Sequence, residues 1–155
     1  MGTLTPTLRP ARADELPALS DHCLRSKSHW GYDADFLEAC RAELTLTPET
    51  LARGPLMVAE IDGRLAATVQ LIPDGDGAEL AKLFVDPDFI GTGLGKYLFR
   101  WAEDEARRRN IRRLHFSAEP LAVPFYRAMG AQVTGEEPSG SIPGRMLPVL
   151  EKTLD

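Results

Sequence analysis

The 155-residue chain carries 23 acidic against 18 basic side chains, a formal charge of -5, with 43% hydrophobic and 26% charged residues. That length and mix suit a single globular domain over residues 1–155 with its own core. The acidic balance argues against sequence-independent nucleic-acid binding and tolerates a cationic partner such as an amine. Cys23 and Cys40 form no paired motif, so a reducing, cytoplasmic setting is expected.

In chain order, the opening segment has no apolar run of signal-peptide type, and no later segment reaches the length of a membrane span. Pro6 stands where a myristoylation signal at Gly2 would need Ser or Thr. "LTPTLRPAR" reads as a short strand ended by proline. "ADELPALSDHCLRSKSHWG" places Leu16, Leu19 and Cys23 near helical spacing, and "ADFLEACRAEL" predicts a second helix. "LTPETLARG" is read as a connection. Two β-rich runs then flank Asp62-Gly63, the pair preferred by a type I′ hairpin turn, in which both central residues need positive φ. In the second run Leu65, Ala67, Val69 and Leu71 are expected on one face, with Ala66, Thr68 and Gln70 on the other. "DGDG" at 74–77 turns the chain into a third strand stopped by Pro87, completing a meander.

After the meander comes "VDPDFIGTGLGKYLFRWAEDEARRR". Its helix sets Leu94, Leu98 and Trp101 on one stripe. Glu103 with Arg107 and Asp104 with Arg108 are expected as i, i+4 pairs on the outer face. "RRLHFSA" predicts a strand, "LAVPFYRAMG" a short helix ended by Gly130, and "AQVTGEE" and "RMLPVLEKTL" two last strands. The order β-α-α-β-β-β-α-β-α-β-β predicts an α/β (α+β) fold, a mixed, mostly antiparallel central sheet flanked by helices.

Glycines at 91, 93 and 95 followed by Lys96 suggest a phosphate cradle. A P-loop would need glycine at position 90, which is Ile90, and a hydroxyl at 97, which is Tyr97. A dinucleotide fingerprint would need glycine at 96, which is Lys96, and a parallel βαβ setting. What stays is a strand, a proline and alternating glycines leading into a helix, whose free N–H groups converge on one anionic spot. A tight turn with nothing bound is the other reading of these residues.

At this point the sequence resembles the GNAT superfamily of CoA-dependent N-acyltransferases. "VDPDFIGTGLG" follows the family's central motif and "LAVPFYRAMG" follows in part its second landmark, a helix around Phe-Tyr. The resemblance implies acetyl-CoA as cofactor and acetyl transfer to an amine of a small molecule or a protein. Backbone amides of Gly91, Thr92, Gly93, Leu94, Gly95 and Lys96 would take the pyrophosphate. Leu83, Phe84 and Val85 would pair with the pantetheine arm, and an N–H near Val85 would meet the carbonyl oxygen. It implies Tyr126 as general acid and Glu79 as the residue that receives the amine proton. His29, Trp30 and Tyr32 in "SKSHWGYD" would wall the acceptor site, and a homodimer is an expected assembly. Ile90 stands where the family carries Gln or Arg, and Leu121 where it carries Asn. Those two positions support the alternative of a non-catalytic acyl-CoA-binding module. His22, His29 and His115 have no metal-ligand spacing, so no metal is expected.

Overall fold

Local chemistry sets the elements of the computed structural model, which describes residues 5–155; Gly2 and the possibility attached to it lie outside them. Strand β1 (Thr7–Pro10) leads to helix α1 (Leu16–Ser28), with Pro17 in its first turn, where a missing N–H costs nothing. Helix α2 (Ala34–Leu44) starts at Asp33, whose Oδ1 accepts from the Phe36 N–H at 2.8 Å. Helix α3 (Pro48–Arg53) occupies the stretch expected to be a plain connection. Proline at its first position and a Thr47 N–H to Thr50 Oγ1 bond of 3.1 Å explain the helix. The meander follows as β2 (Leu56–Ile61), β3 (Arg64–Asp74) and β4 (Gly77–Val85). The chain then runs through α4 (Leu94–Arg108), β5 (Arg113–Ser117), α5 (Val123–Ala128), β6 (Gln132–Pro138) and β7 (Met146–Thr153).

The seven strands form one sheet ordered β1-β2-β3-β4-β5-β7-β6, and every pairing is antiparallel except β4 with β5. The mixed, mostly antiparallel architecture read from the sequence is therefore the observed one. Asp62 (φ 53°) and Gly63 (φ 75°) both adopt the left-handed conformation that the I′ hairpin requires.

Three register shifts interrupt the sheet: one in β6 leaves Thr134 extra opposite β7, and two in the meander decide which way the site residues face. Opposite β2, Ala59 pairs with Ala67 but Glu60 pairs with Leu65, so Ala66 is the extra residue. Leu65 consequently packs with the α1 cluster of Leu19, Cys23 and Val58, not on the face of Ala67, Val69 and Leu71 expected for it. From Ala66 to Ile72 the strand is buried on both faces, Thr68 and Gln70 included. Opposite β4, Gln70 pairs with Lys82 while Leu71 pairs with Leu80, which makes Ala81 the second extra residue. It keeps Leu80, Leu83 and Val85 on the α4 side of the sheet while Phe84 packs toward α1. By alternation Glu79 and Lys82 share the α1 side with Phe84.

Helix α4 presses Leu94, Leu98, Phe99, Ala102 and Ala106 into the α4-side core. Each of its larger apolar side chains contributes about 1.5–3 kcal/mol by leaving water. Trp101, expected on this stripe, is half-buried at its margin. Glu103 is buried, not on the outer face: its carboxylate takes Lys152 Nζ of β7 at 2.5 Å, with Arg107 at 3.9 Å. Asp104 pairs with Arg107 at 3.3 Å, not with Arg108, which turns to Glu105. The helix is thus tied to β7 by a buried ion pair as well as by its apolar stripe.

Candidate active site

Sheet geometry creates the opening. Strand β5 runs beside β4 only at Ala78–Leu114 and Glu79–His115, while its other edge pairs with β7 along the whole strand, from Arg113–Thr153 to Ser117–Val149. Beyond Glu79 the two strands part. Asp86 donates its N–H to Ala66 O at 2.8 Å, so Asp86 and Phe84 aim their main-chain groups at β3. The alternate residues Leu83 and Val85 aim theirs at the gap, where no described strand receives them. Two donors and two acceptors along an open edge suit an extended ligand with amides of its own. Phe84, the middle residue of the expected trio, offers that edge nothing and instead accepts from above: His22 Nε2 lies 3.3 Å from its carbonyl oxygen. Burial holds the His22 pKa below the ordinary imidazole value.

At the end of β4 the glycine loop begins. Among the described residues, none of the backbone N–H groups from Gly91 to Lys96 finds an acceptor; the first to do so is Tyr97, bonded to Gly93 O at 3.1 Å. Gly91 (φ 85°) and Gly93 (φ 86°) are left-handed, and the Thr92 hydroxyl holds the turn by donating to Phe89 O at 2.6 Å. Gly95 has no such φ; a methyl there would sit 3.4 Å from the Phe125 ring. Such a run of free N–H groups at the start of a 15-residue helix has the donors and the dipole that suit a phosphate or pyrophosphate. Leu94 is core, so only its N–H faces that site, whereas the Lys96 side chain is exposed. Ile90 and Leu121, the two apolar departures from the family pattern, are both exposed.

Helix α5 packs against β5 and α4 on the α4 side of the sheet. Tyr126 is buried against Phe116 of β5, ring centroids 4.7 Å apart, and against Phe99 of α4 at 6.1 Å. Burial alone drives its phenol well above the ordinary tyrosine pKa, and no hydrogen bond or charge offsets it. The hydroxyl is nevertheless absent from the fully enclosed, unpartnered polar atoms, which are His22 Nδ1, Thr68 Oγ1 and Gln70 Oε1. It therefore keeps its proton at neutral pH, and its oxygen is not fully enclosed. Glu79 is half-buried on the opposite face, at the last register position before the strands part.

Of the aromatic residues expected at the acceptor side, His29 and Trp30 pack edge to face with each other at 5.0 Å, at the exposed end of α1. Tyr32 is placed differently. It stacks on Phe36 at 3.9 Å, and its hydroxyl lies 2.5 Å from both Glu119 Oε1 and Arg145 Nη2. Burial first, and then Glu119, push its pKa up to about 12. Glu119, Arg145 and Phe36 escaped the sequence reading, as did Lys82, half-buried on the α1 side with its pKa lowered by burial. Only the alternation of β4, corrected for a bulge, could have exposed Lys82.

The comparisons with known proteins establish the family and the fold. The model of the acetyltransferase (GNAT) family matches residues 17–131. The chain is similar to the peptidyl-lysine N-acetyltransferase YjaB of Salmonella typhimurium, with 35% identity over 120 residues covering 75% of this chain and 77% of that protein. It is similar to the peptidyl-lysine N-acetyltransferase YiaC of Escherichia coli at 28% identity over 127 residues, 81% and 83% of the two chains. Among solved structures, the fold matches the PaiA N-acetyltransferase of Thermoplasma acidophilum in complex with coenzyme A (TM-score 0.79, 19% identity, 97% and 99% covered). It also matches a GCN5-related N-acetyltransferase from Rhodopseudomonas palustris (TM-score 0.81, 21% identity, 99% of each chain). The chain belongs to the acetyltransferase (GNAT) family and is an N-acetyltransferase that draws its acetyl group from acetyl-CoA.

Proposed function

We propose that this enzyme acetylates lysine side chains of proteins, by direct transfer without an acyl-enzyme. The gap between β4 and β5, with the open edge of Leu83 and Val85 on one side and Tyr126 packed on β5 at the other, is the observation that carries this reading. The lysine acceptor is supported by the two curated relatives, both peptidyl-lysine N-acetyltransferases. An acidic chain also suits an acceptor that arrives as an ammonium ion.

Bound acetyl-CoA supplies an activated thioester. The residues of the chain divide the remaining work. The N–H groups of Gly91 to Lys96 hold the pyrophosphate, and the edge of Leu83 and Val85 holds the pantetheine amides. One N–H of that edge, from Leu83 or Val85, donates to the thioester oxygen as charge develops on it. Glu79 receives the proton of the attacking amine, directly or through water, because only the neutral amine is a nucleophile. Tyr126 donates toward the departing sulfur; its raised pKa keeps that proton available at any physiological pH. Tyr32 lines the acceptor side. Cys23 and Cys40 are buried free thiols and take no part, and they fit a reducing cytoplasm.

Thiol release is measured with acetyl-CoA against a lysyl peptide blocked at its N-terminus, the same peptide with a free N-terminus and norleucine for lysine, and a panel of small amines. The proposal expects the blocked lysyl peptide to be turned over best, and a Glu79→Gln enzyme to lose at least tenfold of that rate. Turnover confined to the α-amine or the small amines refutes the acceptor class. Full activity in Glu79→Gln removes that residue from the mechanism.

A further inference from the structure

The cluster that Tyr32 joins does more than brace the fold. Glu119 sits where the chain has left β5 and is about to form the helix of Tyr126. Its carboxylate takes the Tyr32 hydroxyl at 2.5 Å, Arg145 Nη2 at 3.3 Å and Lys27 Nζ at 3.8 Å. The Glu119 side chain is only 11% exposed, and the two cations 18% each. One cation is enough to neutralise one carboxylate, so the cluster holds a surplus positive charge in a largely desolvated place.

The second observation is where the cations lie relative to the rings. The Arg145 guanidinium carbon is 5.1 Å from the Tyr32 centroid and 5.0 Å from that of Phe36, and Lys27 Nζ is 5.5 and 5.9 Å away. The two rings are themselves parallel and 3.9 Å apart. A group nearly equidistant from both must lie level with the gap between them, at the rim of the stack. There the ring quadrupole gives a cation little attraction. What holds Arg145 is therefore Glu119 and Tyr32, not the aromatic faces.

The third observation concerns how Arg145 is delivered. It ends a compact turn: Ser139 N–H donates to Arg145 O at 2.7 Å, and Ser139 Oγ accepts from the N–H groups of Ser141 and Ile142 at 3.1 Å each. The turn rests on α2 through the Ser141 hydroxyl and the Glu43 carboxylate. None of residues 139–145 is buried, so the turn can release its arginine without disturbing the core.

We propose that Glu119, with Tyr32, is a subsite for a basic side chain flanking the target lysine, and that Arg145 occupies it in the free enzyme as a stand-in for that side chain. The guanidinium already in place shows the chemistry the subsite accepts. This inference rests on the lysyl-protein acceptor proposed above. Binding of a basic acceptor displaces Arg145 and puts an equivalent cation in its place against Glu119 and Tyr32, with Lys27 unmoved. The enzyme thus selects lysines set in basic sequence.

The test uses two blocked peptides that differ only in arginine or glutamine next to the lysine, with KM and kcat measured for each. Wild type is expected to prefer the arginine peptide roughly five- to tenfold in KM, since the arginine gains a charge-assisted bond but must give up its water to make it. Arg145→Ala, which empties the subsite, is expected to widen that ratio, and Glu119→Gln to bring it to about one. A ratio that does not respond to either substitution, or one that narrows in Arg145→Ala, shows a brace and overturns the inference. Arg145→Ala decides the matter alone should Glu119→Gln fail to fold. If wild type acetylates neither peptide, it is the acceptor class itself that falls, and the inference falls with it.

Discussion

Gly93→Ala separates a ligand-binding loop from a mere turn. Gly93 has φ 86° and an added Cβ would meet no atom within 4 Å, so the protein gives a methyl room but not a relaxed backbone. Holding an alanine left-handed costs about 1–2 kcal/mol. If the loop keeps its shape, that strain lowers the melting temperature by roughly 2–8 °C. If the loop relaxes instead, the N–H groups of Gly91 to Lys96 no longer converge, and the same energy reappears as about a 5- to 30-fold rise in KM for acetyl-CoA. Saturating acetyl-CoA should restore kcat, because the chemistry lies elsewhere. Gly95→Ala is the matched control. Its backbone is unstrained and its methyl would lie 3.4 Å from the Phe125 ring, an ordinary contact. Any loss of acetyl-CoA affinity there reports how closely the ligand approaches the helix. Initial rates of thiol release at varied acetyl-CoA, with calorimetry for binding, provide the numbers. A Gly93→Ala enzyme with wild-type stability and wild-type affinity would refute the loop's assigned role.

Further expectations concern single side chains. Tyr126→Phe should lower kcat by about 10²–10⁴-fold while the melting temperature barely moves, since the hydroxyl makes no bond that the fold would miss. Glu103→Ala leaves Lys152, itself partly exposed, with Met129 O as its remaining close partner; about 1.5–3 kcal/mol should be lost, roughly 3–12 °C by calorimetry. Burial pushes the Cys23 thiol up to about 12, so it should resist iodoacetamide in the native protein at pH 8 and react on unfolding. The sign for stability follows: above about pH 8.5 the unfolded chain sheds this proton first, so Cys23 lowers stability as pH rises, and Cys23→Ala should flatten that slope.

How legible the molecule was depended on whether a signal was local. Asp62-Gly63 announces its hairpin because few other pairs accept two positive φ values in succession. The loop at Gly91 and Gly93 is visible for the same reason, and the heptad-like spacing of Leu94 and Leu98 follows from helical geometry. The bulges at Ala66 and Ala81 carry no such mark. An alanine that adds one residue to a strand looks like any alanine, yet each bulge switches the facing of its neighbours, which is why Leu65 was placed on the wrong side. The inward turn of Glu103 was hidden because its partner lies on β7, and charged residues on a helix are by default read as solvated. Tyr32 was singled out for its aromatic ring, but the partners that define its role are 87 and 113 residues away in sequence. No spacing rule reaches that far.

The central claim, transfer of acetyl from a thioester held in the β4–β5 gap to a lysine side chain, is tested most directly by mass spectrometry of a lysyl peptide. The peptide carries a blocked N-terminus and is incubated with isotope-labelled acetyl-CoA and either the wild-type or the Tyr126→Phe enzyme. The account predicts labelled acetyl on the lysine Nε with wild type, at a rate cut at least a hundredfold in the variant. Label that never reaches lysine, or reaches it equally fast without the Tyr126 hydroxyl, would contradict it.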